Sequence, residues 1–128
     1  MDYLDTSAFL KLIVAEPEGR ALRRALGPAS DLVSSALLVV ESRRAAKRYG
    51  DTAATRTRSA LGGVTLIPVD AITLELASEL EPPALRSLDA IHLATALSLG
   101  GELDRFHCYD ARLAEAAVAL GLRVSDPA

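Results

Sequence analysis

Four carboxylates in this 128-residue chain stand where they can do chemistry. Asp5 follows the short apolar stretch "MDYL", and Asp110 follows "RFHCY"; each comes just before a run of helical composition. Glu41 lies inside "ALLVVESRRAAKRY". On helical spacing it shares a face with Leu37, Leu38 and Ala45, which turns its carboxylate partly inward. Asp89 falls in the first turn of "SLDAIHLATALSLG", the most apolar helical stretch of the chain. Buried like charges repel and raise one another's pKa unless a cation sits among them. Three or four carboxylates sharing one pocket therefore call for a hard divalent ion. Mg²⁺ or Mn²⁺ takes oxygen ligands, keeps several waters and contacts phosphates. The chemistry that follows is metal-assisted hydrolysis of a phosphodiester, with a bound water made acidic and oriented, and phosphate charge neutralised in the transition state.

Each carboxylate also has a local alternative. Asp5 and Asp110 can cap the helices that follow them, Asp89 can serve the helix macrodipole, and Glu41 can pair with Arg44 or Arg48 one or two turns on. His92, three residues after Asp89, either approaches the pocket or packs among Leu and Ala. His107 sits in a strand with no obvious ligand partner, and Asp2 reads as a surface residue. Other chemistries find less support. There is no G-x-x-x-x-G-K-[ST] or G-x-G-x-x-G to cradle a nucleotide. A triad of Ser7, His92 and an Asp lacks the G-x-S-x-G elbow. The haloacid-dehalogenase pattern D-x-D-x-[TV] fails at Asp2 and Asp5, which have two residues between them where the pattern has one and are followed at once by Thr6, and a receiver domain needs a late Lys where this chain has only Lys11 and Lys47. Tyr3, Tyr49 and Tyr109 are too scattered to form a stacking platform for bases.

The elements that must position these groups can be read along the chain. "DYLD", "DLVSS", "VTLIPV", "RFHCY" and "LRVS" are short strand candidates. Between them lie the helical stretches "TSAFLKLIVA", capped by Thr6 or Ser7, "PEGRALRRAL", stopped at Gly27-Pro28, and "ALLVVESRRAAKRY", capped by Ser34 or Ser35 and stopped at Gly50. "DTAATRTRSAL", "AITLELASEL" led by Asp70, "SLDAIHLATALSLG" capped by Ser87, and "ARLAEAAVAL" stopped by Gly121 complete the set. Strands alternating with helices predict an α/β domain with a mainly parallel sheet covered on both faces. Ligands of such sheets sit beyond the carboxyl ends of the strands, where strand order reverses. That rule gives Asp5 and Asp110 a shared address.

Composition fits one domain spanning residues 1–128, with half its residues hydrophobic and about a quarter charged. The longest strongly apolar run, "ALLVV", is too short to span a bilayer, and the first residues do not resemble a signal peptide. The lone Cys108 allows neither an intramolecular disulfide nor a metal cluster, so a reducing cytoplasm is the expected location. The net charge of −3 hides an asymmetry. Lys11 to Arg58 holds ten Lys/Arg against five Asp/Glu, and the remainder four against twelve. A basic flank beside an acidic remainder suits a polyanion held next to a metal site, and equally suits solvated helix faces.

"LDTSAFLKL", "VVESRRA", "SLDAIHLATAL" and "YDARLAEAAVALGLRV" together resemble the PIN domain, and more narrowly the VapC-type ribonuclease toxins of toxin–antitoxin pairs. The resemblance runs over nearly the whole chain, with all four segments in order. It implies a three-layer α/β/α sandwich around a mainly parallel central sheet. It also implies a Mg²⁺- or Mn²⁺-dependent endoribonuclease acting on tRNA, rRNA or mRNA, a homodimer, and a cognate antitoxin that blocks the pocket. Carried over by position, Asp5 and Asp89 are the most direct metal ligands. Glu41 and Asp110 complete the site directly or through waters, and Ser7 orients a carboxylate or a metal-bound water. Some relatives carry a further acidic residue after the fourth; here Ala111 and Arg112 stand nearby. The alternative reading is a catalytically inactive PIN-like module that binds RNA or a partner.

Overall fold

The computed structural model describes all 128 residues. Its centre is a five-stranded sheet of β1 (Asp2–Leu4), β2 (Leu32–Ser35), β3 (Thr65–Ile67), β4 (Arg105–His107) and β5 (Val124–Ser125). The strand order is β3-β2-β1-β4-β5, and every pairing is parallel. The strands are very short, yet β1 is buried throughout, as a central strand covered on both faces must be. Tyr3 pairs with Val33 on one side and Phe106 on the other, so these three share one face. Leu4 points to the opposite face.

Seven helices cover the two faces. Tyr3, Val33 and Phe106 pack against Leu93 of α6 (Ser87–Ser98) and Leu113 and Ala117 of α7 (Ala111–Ala119). Leu4 packs with Ala8 and Phe9 of α1 (Thr6–Lys11), Leu22 of α2 (Pro17–Leu26), Leu38 of α3 (Leu37–Ala46) and Ala53 of α4 (Asp51–Leu61). The remaining helix, α5 (Ala71–Glu79), packs against α6. The predicted three-layer α/β/α arrangement with a parallel sheet is the one observed. The chain runs from β1 outward to β3, then returns to the other side of β1 as β4. The strand order therefore reverses between β1 and β4.

Several local expectations need correction. α1 ends at Lys11 rather than running on through Ala15. Glu16 is held extended (φ −130°, ψ 156°) by Pro17, which opens α2, and Gly19 of α2 then lies against the Lys11 carbonyl. A Cβ at Gly19 would come 2.1 Å from that oxygen. The cap of α1 is Asp5, whose side chain accepts the Ala8 N–H, not Thr6 or Ser7. α3 is flanked by Ala36 without a side-chain cap; Ser35 still accepts the Leu37 N–H, while Ser34 donates to the Leu4 carbonyl. α6 is preceded by Arg86, and Ser87 is already helical and makes no cap bond. α3 stops at Ala46 and gives way to a 3₁₀ turn over Lys47–Tyr49.

Asp2 is not a surface residue. It is 6% exposed, accepts a hydrogen bond from His107 Nε2 at 3.0 Å, and pairs with Arg105 Nε at 3.0 Å. All three side chains lie on the same face of adjacent parallel strands, which brings Asp2 and His107 together across one register step. The second ring nitrogen of His107, Nδ1, is buried without a partner. Burial holds the His107 pKa below its ordinary value despite the Asp2 carboxylate. A neutral ring with its proton on Nε2 fits both facts. Burial opposes the charge on Asp2, but the His107 hydrogen bond and the Arg105 charge outweigh it, leaving the carboxyl below its usual range.

Candidate active site

The site is assembled at the carboxyl edge of the sheet, where β1 and β4 end side by side. Asp5 follows β1 directly, and its backbone N–H continues the ladder to the His107 carbonyl at 3.2 Å. Its carboxylate is 3% exposed. The Ala8 N–H at the start of α1 holds Oδ1 at 2.8 Å, and the Ser7 hydroxyl lies 2.7 Å from Oδ1 and 2.9 Å from Oδ2. Ser7 in turn accepts the Tyr109 N–H at 2.9 Å, so it clamps Asp5 to the chain leaving β4. Burial drives the Asp5 pKa above its ordinary value, and the Ser7 and Ala8 hydrogen bonds only partly offset this.

Glu41 enters from α3. Its Oε1 accepts from the Thr6 hydroxyl at 2.8 Å and from His92 Nε2 at 2.7 Å, which are not the Arg44 or Arg48 pairings that spacing allows. Oε2 makes no hydrogen bond within the chain. Burial works against the charged form. The His92 hydrogen bond, the charges of His92 and Arg86, and the Thr6 hydroxyl outweigh it, so the carboxyl titrates below its ordinary value. His92 is itself buried in α6, with Nδ1 2.7 Å from the Tyr3 hydroxyl. The packed reading and the pocket reading of His92 are therefore both realised.

Asp89 and Asp110 meet on one arginine. Arg86 Nε lies 3.1 Å from Asp89 Oδ2, and Arg86 Nη2 lies 3.3 Å from Asp110 Oδ2. Asp110 also caps α7, with Oδ1 accepting the Arg112 and Leu113 N–H groups at 3.0 and 3.1 Å. Both expected roles of Asp110, cap and pocket carboxylate, thus fall on different oxygens of one side chain. The Asp89 hydrogen bond and the charges of Asp89, Asp110 and Glu41 raise the Arg86 pKa. Arg86 accordingly stands as the local cation of an acidic edge. From this edge a groove of about 880 Å³ extends between the start of α6 and α7, lined by residues including Leu85, Arg86, Asp89, Asp110, Arg112 and Glu115.

Cys108, beside Ser7 and Asp5, is buried, and burial together with the Asp5 charge pushes its thiol far up, so it is no nucleophile at neutral pH. As they lie, no three His, Cys, Asp or Glu side chains stand close enough to hold a metal ion. The donor chemistry nevertheless suits a hard cation. Every ligand on offer is oxygen, Glu41 and Asp89 each keep one oxygen without a protein partner, and a guanidinium already sits between Asp89 and Asp110 as a stand-in for positive charge. Sequence reasoning missed three supporting residues. Thr6 figures in the sequence only as a cap and Tyr3 only as an isolated aromatic, and Arg86 draws no reading at all. Position alone signals them weakly: Thr6 and Arg86 each lie within three residues of a carboxylate already singled out.

A parallel α/β/α sheet with carboxylates gathered at its switch point defines a class, and direct comparison agrees. The family model for the PIN domain matches residues 3–119. The chain belongs to the PIN-domain family, whose VapC members are metal-dependent nucleases. Within that family it belongs to the VapC ribonucleases. It is 49% identical to ribonuclease VapC46 of Mycobacterium tuberculosis, over 98% of this chain and 96% of that protein. It is 40% identical to ribonuclease VapC47 of the same species, over 99% and 97%. Solved structures share the fold. M. tuberculosis VapC20, a toxin that cleaves the sarcin–ricin loop, superposes with a TM-score of 0.77 at 19% identity, covering 99% of this chain and all of that one. VapBC2 of Rickettsia felis, bound to a promoter DNA fragment, gives 0.71 at 13% identity with full coverage of both chains. No helix is long and apolar enough to cross a membrane.

Proposed function

We propose that the chain is a Mg²⁺-dependent endoribonuclease acting as the toxin of a toxin–antitoxin pair in the cytoplasm, its 128 residues forming one catalytic domain. Asp5, Glu41, Asp89 and Asp110 are the acidic residues that hold the ion, and Ser7 orients Asp5. Mn²⁺ is the expected substitute ion. The observation that carries this reading is how three of the four carboxylates are tethered. Protein donors reach both oxygens of Asp5 and fix Glu41 Oε1 and Asp110 Oδ1, while Glu41 Oε2 is unbonded within the chain and Asp110 Oδ2 faces only Arg86. In Glu41 and Asp110, tethering one oxygen presents the other at a defined place, as metal ligation requires.

When bound, the divalent ion supplies a water of lowered pKa and neutralises charge on the scissile phosphate. The protein residues do the rest. Ser7 and the Ala8 N–H keep Asp5 aimed, and Thr6 and His92 do the same for Glu41. The buried floor beneath them excludes bulk water, which strengthens the electrostatics of the edge. Arg86, already at the rim, is placed to meet a phosphate group as RNA enters. The substrate is tRNA, rRNA or mRNA. The partner is a cognate antitoxin that covers the acidic edge, and the active form is a homodimer that joins the antitoxin in a hetero-oligomer. The test is to express the parent and Asp5→Asn chains and map new RNA 5′ ends across the transcriptome. New ends that depend on Asp5 are expected and identify the target RNA. Equal cleavage by both chains overturns the assignment.

A further inference from the structure

Beneath the acidic edge runs a chain of hydrogen bonds from the sheet to Glu41. The Ser35 N–H donates to the Tyr3 hydroxyl at 3.1 Å, and the Tyr3 hydroxyl lies 2.7 Å from His92 Nδ1. His92 Nε2 lies 2.7 Å from Glu41 Oε1. Tyr3 and His92 are 0% and 1% exposed, so neither can complete its bonding with bulk water. The Ser34 and Thr95 hydroxyls also lie beside the Tyr3 hydroxyl, so its oxygen is held from several sides. A carboxylate only accepts, so Nε2 carries a proton that points at Glu41, and Tyr3 holds the far side of the ring at Nδ1. The rings are locked by packing as well. Tyr3 stacks on Phe106 at 5.1 Å between centroids and meets His92 edge-on at 5.8 Å.

Resting on the metal-site reading above, we infer that Tyr3 and His92 form a buried positioning relay that fixes which oxygen of Glu41 faces the metal. His92 and Thr6 both occupy Oε1, so Oε2 is the oxygen left for the ion. The relay ties Glu41, carried on α3 above one face of the sheet, to Tyr3 on the other face, and crosses the edge through α6. A carboxylate on a helix flank gains in this way the fixity that Asp5 has from its strand end. Outer hydrogen-bond partners of metal ligands typically carry about 10- to 100-fold in metal affinity or activity.

The test measures Mn²⁺ affinity by calorimetry, single-turnover kcat and KM on RNA, and histidine ¹⁵N spectra of the metal-free protein. The parent is compared with His92→Leu, His92→Gln and Tyr3→Phe, and with Asp5→Asn, which lies off the relay. His92→Leu is expected to weaken Mn²⁺ binding about 10- to 100-fold and to lower kcat while KM stays put. His92→Gln, which keeps an N–H donor, restores most of the loss. Tyr3→Phe costs about fivefold, the scale of one hydrogen bond, and shifts the Nδ1 resonance in the metal-free spectrum. A role confined to packing lowers thermal stability but leaves the Mn²⁺ affinity of folded protein unmoved. Parent-like Mn²⁺ affinity and kcat in folded His92→Leu overturn the relay, as does a parent spectrum with no proton on Nε2. Where His92→Leu does not fold, Tyr3→Phe decides by the same measurements. Mn²⁺ binding lost in Asp5→Asn but kept in both relay variants overturns the relay alone, whereas no Mn²⁺ binding by the parent overturns the metal site itself.

Discussion

Arg86 and Asp110, 24 residues apart in sequence, meet at 3.3 Å across the mouth of the acidic edge. Arg86 also reaches Asp89 at 3.1 Å, so one exposed guanidinium pairs with two of the four proposed ligands. A cation in that place competes with any other. Arg86→Gln is expected to tighten Mn²⁺ binding several-fold in calorimetry, because two carboxylates lose their resident positive charge. The same variant should gain more thermal stability from added Mn²⁺ than the parent does, since a ligand stabilises in proportion to its affinity. Unchanged or weaker binding would show that Arg86 helps to hold the ion rather than to exclude it.

Asp5→Asn should separate activity from stability. RNA cleavage is expected to fall at least about 100-fold, the scale of losing a group that acts directly on the reacting centre. The metal-free fold should become more stable near neutral pH. The sign follows from the raised pKa of Asp5: the stability its neutral form contributes is present below the unfolded value and is lost as pH rises through the folded one. An uncharged Asn escapes that loss. Melting temperatures with chelator present should therefore diverge as pH rises from about 4 toward 7. A parent more stable than the variant at pH 7 contradicts the argument.

Asp2→Ala acts far from the chemistry. It leaves the buried His107 Nε2–H and the Arg105 guanidinium without their acceptor, at an expected cost of about 1–3 kcal/mol. Because the Asp2 carboxyl is held below its ordinary pKa, its contribution is present above the unfolded value and is lost as pH falls through the folded one. Urea unfolding should show the gap between parent and variant closing in acid. The specific activity of folded protein should stay near the parent's.

Gly19→Ala tests the junction of α1 and α2. The added Cβ has no room, since it would stand 2.1 Å from the Lys11 carbonyl oxygen, and backbone must move. A loss of about 1–3 kcal/mol is expected in chemical denaturation, although alanine is the better helix former. A neutral or stabilising effect would mean that α1 and α2 are not packed as described.

The fold was legible because its signals are local and repeated. Gly27, Gly50 and Gly121 end or follow helices at positive φ, Pro17 opens one, and short strands alternate between them. The acidic residues were legible because strand ends and helix faces are fixed by that same pattern. What escaped were pairings between distant segments. Nothing near Asp2 announces His107, 105 residues later, and nothing near Tyr3 announces His92. Cap positions slipped by one or two residues wherever a competing partner took the side chain. Asp5 took the cap of α1 because Ser7 was already engaged with Asp5 and the Tyr109 N–H, and Thr6 with Glu41.

The sheet's innermost strand is also the first to be made. Tyr3 and Leu4 pair on one side with Phe106 and His107, and Ser7 binds the backbone of Tyr109. A ribosome must therefore deliver some hundred residues before the second wall of the acidic edge exists, and until then Asp5 has no Asp110 to face. Such long-range pairing delays assembly until late in synthesis. For a protein that would cut the RNA of the cell making it, the order of the strands is a safety catch: nascent chains and truncated products alike carry Asp5 without the opposing half of the site.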